Sequence, residues 1–413
     1  MALAALLLVS NCNKNDGGSC SGAEVVFYTP TLPDDNNWLW FSNEKGEVLE
    51  VAEVESRDRY RLSTEACAEQ YSLSFLQQYR RPALVGNQLV QVEVYELTTY
   101  VGIPDGLQFD TLVTAAPLRA FAVEGIQTVE ELLWPAESKE AFDRNIYIDS
   151  NADLLSFEIP VPDGQPAFLT IRANGEAETR FIWVDAVDEY NYTFTYSGLQ
   201  RLIPYGPVSL PNDGSWQYSI RGLGQFGGAV LDYSSTPDLV QFEFGAALPP
   251  ADLFRAFQLT ARQLSFRNGM AFYPIHYEKQ APGLPVAIPN PTFDFNWQHP
   301  APDRIQVTAL QGDFQAVQVQ FADNAINAGS GPWLLWTIIS SPEALVDYTL
   351  PQWPNEVEGI RNTLLAESRN TPVIATAKSY DSKPTYRQFL EATARRDVDW
   401  EAAQGLLSRS KAF

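Results

Sequence analysis

Histidine is nearly missing from this chain: His276 and His299 are the only two in 413 residues. Imidazole is the commonest general base and metal ligand near neutral pH. A histidine metal site or a Ser-His-Asp arrangement is therefore disfavoured from the outset. His276 lies in the alternating run Tyr273-Pro274-Ile275-His276-Tyr277, and His299 stands beside a proline in Gln298-His299-Pro300. No GxSxG elbow, HExxH pair or phosphate loop occurs. Gly222-Leu223-Gly224-Gln225-Phe226-Gly227-Gly228 approaches a dinucleotide fingerprint, but no helix follows to receive a pyrophosphate, and it reads as a hairpin loop. The three cysteines show no CxxC spacing, which argues against structural zinc.

Positive charge is scarce too. There are 28 basic against 51 acidic residues, a formal net charge of -23, and most of the basic residues are arginine. No cluster exists to meet nucleic-acid phosphates or anionic headgroups, so neither is an expected partner. Such a surface stays soluble where salt screens its self-repulsion, which suits an extracytoplasmic protein. The 45% hydrophobic content is that of a globular chain long enough for two or three domains.

The run at the N-terminus, Ala2–Val9, is far shorter than the roughly 20 residues that span a bilayer. It matches instead the apolar region of a secretory signal. Val9-Ser10-Asn11-Cys12 follows, and then the polar Asn13-Lys14-Asn15-Asp16-Gly17-Gly18-Ser19. This N-terminus resembles the signal and lipobox of bacterial envelope lipoproteins, with a tether like those of Bacteroidota. Asn11 is larger than the Gly or Ala usual in that pattern, and a basic region before the apolar run is missing. The strand-turn pattern Trp40-Phe41-Ser42-Asn43-Glu44-Lys45-Gly46-Glu47-Val48-Leu49 is loosely similar to accessory modules of Bacteroidota surface proteins. The resemblance implies lipid on Cys12 and attachment to the outer membrane, facing the periplasm or the cell surface. Each buried CH₂ of the acyl chains contributes about 0.8 kcal/mol, and several chains hold a protein stably.

With Cys12 so assigned, Cys20 and Cys67 remain as an even pair in an oxidising compartment. A bridge between them stabilises by roughly 4 kcal/mol in the chain-entropy model. A buried free Cys67 with an unpaired Cys20 in the tether is the alternative.

Period-two alternation dominates the rest. Val90, Val92 and Val94 alternate with Gln91 and Glu93; Val240, Phe242 and Phe244 with Gln241 and Glu243; Val317, Val319 and Phe321 with Gln318 and Gln320. Each is a strand with one buried face. Asn174-Gly175, Asn268-Gly269, Asn43-Glu44-Lys45-Gly46 and Gln311-Gly312-Asp313 sit between such runs and predict antiparallel hairpins. Helical pattern is confined to Val129–Leu133 after Thr128, a segment from Asn355 to Leu365, and Tyr386 to Arg396. Prolines cluster at 282–291 and 300–302, where linkers are expected. The expected class is mainly β, with two or three antiparallel sandwich-like domains and a few short helices mostly near the C-terminus. The expected division is a signal and tether at 1–22, a small sandwich at 23–82, a larger β domain with a helical insert at 83–290, and a β unit closed by helices at 291–413.

Candidate chemistry is thin. Asp149, Asn151 and Asp153 place oxygens at alternating positions, which suits Ca²⁺. Leu154 stands where the turn glycine of a calcium loop belongs, and a solvated Asx-rich turn explains the segment equally. No other cofactor is expected. Paired acids such as Asp185 with Asp188 and Glu189 keep carboxylate glycosidase chemistry open, which needs two groups about 5–9 Å apart. Trp38, Trp40, Trp333 and Trp336 lie in segments apolar on both faces and read as core. Trp353, in Pro351-Gln352-Trp353-Pro354, is the candidate for stacking on a ligand.

Three functions fit: a non-catalytic, lipid-anchored envelope protein that binds a glycan or an envelope protein; a carboxylate-dependent hydrolase acting on polysaccharide; and a structural subunit docking by strand addition. The first needs no active-site residues and is the expected one.

Overall fold

In the computed structural model the chain is mainly β, with a few short helices near the C-terminus. The structure describes residues 22–412 except 30–31, 33–35, 67, 86–87, 110–117, 134–145, 150–152, 162–163, 165–166, 177, 202, 210–214, 225–226, 235–242, 249–255, 268–269, 283–287, 324–331, 361–369 and 395–399.

One sheet of twelve strands runs through it. From one edge to the other it comprises Gly227–Ser234, Ser215–Gly224, Ala256–Arg267, Met270–Ala281, Leu406–Ala412, Asn370–Tyr380, Ala316–Asp323, Trp333–Ser340, Gln88–Val101, Tyr71–Val85, Trp38–Asn43 and Val48–Glu53. Neighbours are antiparallel except Trp333–Ser340 against Gln88–Val101, which run parallel. The last strand of the chain thus fills the middle of the sheet.

The sheet is buried on both faces where the strands are most apolar. In Trp38–Asn43, Trp40 enters a core with Phe295, Trp297, Ile305 and Val307 of a three-stranded sheet made of Asp294–Ala301, Arg304–Gln311 and Tyr348–Thr349. Leu39 and Phe41 point the other way, into a core with Val25, Phe27, Leu62 and Phe109. Those come from a second three-stranded sheet, Arg59–Thr64, Ala23–Tyr28 and Leu107–Phe109. Burial on both sides is why Trp38–Phe41 shows no polar face: Trp40, Leu39 and Phe41 are each at most 1% exposed. Trp333 and Trp336 are also buried, as the sequence indicates.

Residues 118–201 build a separate core. The sheet Ile146–Asp149, Leu154–Pro160, Leu118–Glu124 and Asn191–Thr195 faces the sheet Gln200–Arg201, Arg180–Val184, Ala167–Ala173 and Val129–Leu133. Phe121, Leu155, Phe157, Leu169, Ile171 and Ile182 fill the space between them. Alternation puts Phe168 and Thr170 on the outer face of the second sheet, yet both are fully buried.

Three local expectations change. Val129–Leu133 is a strand and does not open a helix: its backbone pairs with Ala167–Ala173, and that pairing outweighs a fair N-cap and two glutamates. Gln311-Gly312-Asp313 does not close a hairpin. Arg304–Gln311 belongs to the outer three-stranded sheet and Ala316–Asp323 to the large one, so the turn carries the chain between layers. The two alternating runs still share a core, because Ile305, Val307, Val317 and Val319 face each other across it. The stretch around Pro302 is no linker either: Pro302 and Asp303 form the tip of a hairpin in which Ala301 pairs with Arg304. The Asn174-Gly175 hairpin and the Asn43–Gly46 turn are present, with Gly175 and Gly46 at φ +80° and +79°. Arg267 pairs with Met270 across Asn268-Gly269, which itself lies outside the described residues.

The helix Tyr386–Ala394 begins at a capping box. Thr385 Oγ1 accepts from the Gln388 backbone N–H at 3.3 Å, and Gln388 Oε1 accepts from the Thr385 N–H at 2.8 Å. Its Phe389 and Leu390 close the core that holds Phe41. A second short helix, Trp400–Gln404, follows and leads into the final strand. Among the described residues no helix is long and apolar enough to cross a membrane.

Candidate functional site

Polar residues collect on one face of four adjacent strands near the middle of the large sheet. Register places Arg262, His276, Ser408 and Lys378 side by side across Ala256–Arg267, Met270–Ala281, Leu406–Ala412 and Asn370–Tyr380. The next row on that face is Thr260, Glu278, Leu406 and Tyr380. Paired residues of an antiparallel ladder point to the same side, about 5 Å apart, so each row is a continuous strip.

The strip is knit by charge. His276 Nε2 lies 2.8 Å from Glu278 Oε1, and Arg262 Nη2 reaches the same oxygen at 3.5 Å. Arg262 also rests on the Tyr273 ring, 5.3 Å from its centroid. Burial raises the pKa of Glu278, but the His276 hydrogen bond and the charges of His276 and Arg262 outweigh it, so the carboxyl sits below its ordinary value. At the other end, the helix Trp400–Gln404 drops Glu401 onto the strip. Glu401 Oε1 accepts from Lys378 Nζ at 2.7 Å and from the Tyr380 hydroxyl at 3.0 Å. Burial, with the nearby carboxylates of Glu401 and Glu278, drives the Tyr380 phenol well above its ordinary pKa.

Serine, histidine and glutamate side by side have the composition of a nucleophilic triad. The arrangement does not present one. Ser408 is 2% exposed between two strands, where a substrate cannot reach it. Glu278 Oε1 and Arg262 Nε both meet the same ring nitrogen, His276 Nε2, at 2.8 and 3.2 Å. The strip acts as a polar joint, capped at its Lys378–Tyr380 end by Glu401 of the helix Trp400–Gln404.

Above that joint lies a cleft of about 300 Å³ between the two helices and the turn before them. Ser382, Lys383, Gln388, Glu391, Trp400 and Gln404 contribute to its wall. The indole of Trp400 touches the Tyr380 and Phe389 rings at steep angles, 63° and 59°, and is only partly buried. Gln388 Oε1 is occupied by Thr385, and Gln404 Oε1 by the Ser382 hydroxyl. Both amides are thereby oriented with their NH₂ groups left as donors.

The residues singled out from sequence do not converge here. Cys12, Cys20, Cys67 and Asn151 lie outside the described residues. Asp149 ends a strand that runs antiparallel to Leu154–Pro160, and its backbone pairs with Leu154. Asp153 takes a φ of +50°, and its carbonyl accepts from Gly125 and Ile126, at 2.7 and 3.1 Å. Among the described residues no three His, Cys, Asp or Glu side chains are grouped to hold a metal. Trp353 is half-buried on the large core, 6.1 Å from the Trp40 ring and 6.4 Å from the Trp336 ring. Trp183 Nε1 donates to Asp185 at 2.5 Å, and the Tyr192 hydroxyl is 3.3 Å from Asp188 Oδ1, all on an exposed rim.

No protein-family model matches the sequence, and no curated protein matches it. The site therefore has to be read from its own geometry. The signals for it were local: His276 and Glu278 two apart in an alternating strand, and Thr385-Tyr386-Arg387-Gln388, a capping-box pattern that fixes where the helix starts.

Proposed function

We propose that this is an outer-membrane lipoprotein, anchored through acyl chains on Cys12 and facing the periplasm or the cell surface, that works by binding a glycan or an envelope protein. One observation favours binding over hydrolysis. Among the described residues the cleft above the polar joint is lined by one carboxylate, Glu391, together with oriented amides and an indole. Two carboxylates about 5–9 Å apart are what glycoside hydrolysis uses. The lipobox-like Val9-Ser10-Asn11-Cys12 supports the anchor.

Docking by strand addition, as a subunit of an envelope complex, has weaker support. The edge strand Val48–Glu53 is flanked by Arg59–Thr64, and Glu50 accepts a hydrogen bond from the Ser63 backbone. A side chain so engaged obstructs a further strand.

Intact mass of membrane-fraction protein from a lipoprotein-processing host, beside Cys12→Ala, tests the anchor. A diacylglyceryl increment that the variant lacks is the expected result. An unmodified mature chain in the medium would overturn it and return the secreted hydrolase to first place.

A further inference from the structure

We infer that the cleft between the two C-terminal helices is a sugar subsite that takes one neutral pyranose ring against Trp400. This rests on the binding role proposed above and names its ligand class.

The balance of groups in the cleft points to hydroxyls. An anion would need net positive charge, and among the described residues of the wall Lys383 is matched by Glu391. Lys383 Nζ is 3.7 Å from Asp313, and Glu391 Oε1 accepts from Arg387 Nε at 2.9 Å, so each charge is offset from outside the wall. The chain as a whole carries -23, which repels acidic saccharides at long range. A purely apolar ligand would leave the NH₂ groups of Gln388 and Gln404 facing it without an acceptor, at a cost for each. A hydroxyl both donates and accepts. Sugar oxygens can accept from the NH₂ groups of Gln388 and Gln404, while a sugar O–H donates to Glu391.

The donors are held in place before any ligand arrives. Gln388 is fixed by the capping box and Gln404 by Ser382, so little side-chain entropy remains to be lost on binding. Trp400 supplies an apolar plane beside them, suited to the C–H face of a pyranose. A volume of about 300 Å³ lies at the small end of ligand pockets, enough for one ring rather than a chain.

The test is saturation-transfer NMR on the full soluble chain with methyl β-D-glucopyranoside, methyl β-D-galactopyranoside and N-acetylglucosamine as probes. Gln388→Glu keeps an acceptor for the Thr385 N–H, and hence the helix cap, but removes the donors. Trp400→Phe keeps a ring in the aromatic cluster but shrinks the plane. Transfer to at least one probe is expected, with affinity falling about tenfold in each variant. Transfer to none of the three, or transfer that both folded variants leave unchanged, would overturn the subsite. The same negative result with Cys12 acylated would leave the lipoprotein reading standing with a protein ligand, so the two failures are separable.

Discussion

Glu278 and His276, two residues apart on one strand, face the same side of the sheet and meet at 2.8 Å. Burial opposes the charge on Glu278, and His276 with Arg262 restores it, leaving its pKa below the ordinary 4.5. A carboxyl with a lower pKa folded than unfolded binds fewer protons in the native state. Its stabilisation is complete above the unfolded value, near 4.5, and is lost as pH falls through the lower folded one.

Glu278→Gln should therefore cost about 2 kcal/mol at pH 7, where Arg262 and His276 lose a charged partner. The gap between variant and wild type should narrow as pH drops below 4.5. Urea midpoints from pH 7 to pH 3 measure both. A gap that stays constant across that range would mean the native carboxylate is not what the joint depends on.

A second prediction concerns the large core, which contains a buried chain of hydroxyls. Thr99 Oγ1 accepts from Trp336 Nε1 at 3.0 Å and lies 2.9 Å from Ser74 Oγ. Thr99→Val keeps the shape and strips both partners of their hydrogen bond. A loss of about 2 kcal/mol is expected, since buried polar groups left unpaired bear the full desolvation cost. Chemical denaturation reads it directly, and a neutral substitution would show that the chain of hydroxyls adds nothing to stability.

Gly312 marks the crossing between layers. Its φ is +67°, and a Cβ there would lie 2.9 Å from Phe293 Cβ and 3.0 Å from Thr292 O. Gly312→Ala meets both the left-handed backbone and the crowding, so a destabilisation of about 2 kcal/mol is expected. Gly106, at φ +72° with no atom within 4 Å of its would-be Cβ, is the control. Gly106→Ala should cost about 1 kcal/mol, the backbone part alone. Equal losses in thermal melts would remove the argument from crowding.

What the sequence made legible was the pattern within each strand. Val317, Val319 and Phe321 declare a buried face by spacing alone, and Trp38–Phe41 declares two. Partnership was not legible, because alternation says which side is apolar and not which strand lies beside it. Gln311-Gly312-Asp313 shows this: hairpin and layer crossing need the same glycine and the same flanking runs. The polar joint was hidden for a related reason. Arg262, His276, Ser408 and Lys378 span 146 positions in sequence, and only the ladder brings them into one row. At Trp353 two flanking prolines suggest an open loop, and the ring lies half-buried against Trp40 and Trp336.

The final strand also ties the outer sheet to the large one. Lys411 Nζ lies 2.8 Å and Arg409 Nη1 3.4 Å from Asp294 Oδ1. The Lys411 hydrogen bond holds the Asp294 carboxyl below its ordinary pKa. Removing residues 406–413 deletes a strand bonded on both sides, so a chain ending at Gly405 should fail to give a cooperative unfolding transition. Asp294→Asn should lower stability by only about 1 kcal/mol or less, because the pair is partly solvated. Cooperative melting of the shortened chain would place the organising strand elsewhere.

Trp353 offers a last discrimination, between a residue that packs and one that binds. Its ring meets Trp336 at 78°, edge to face, and Trp40 at 38°, and it lies against the large core. Such contacts contribute stability whether or not a ligand is present. Trp353→Ala should therefore lower the unfolding free energy by about 2 kcal/mol, less than for a fully buried indole because part of the ring is already wet. It should leave saturation transfer to the methyl glycosides as it is in the wild type. If instead stability holds and sugar signals vanish, the stacking plane is Trp353 and the binding face belongs beside the outer three-stranded sheet rather than between the helices.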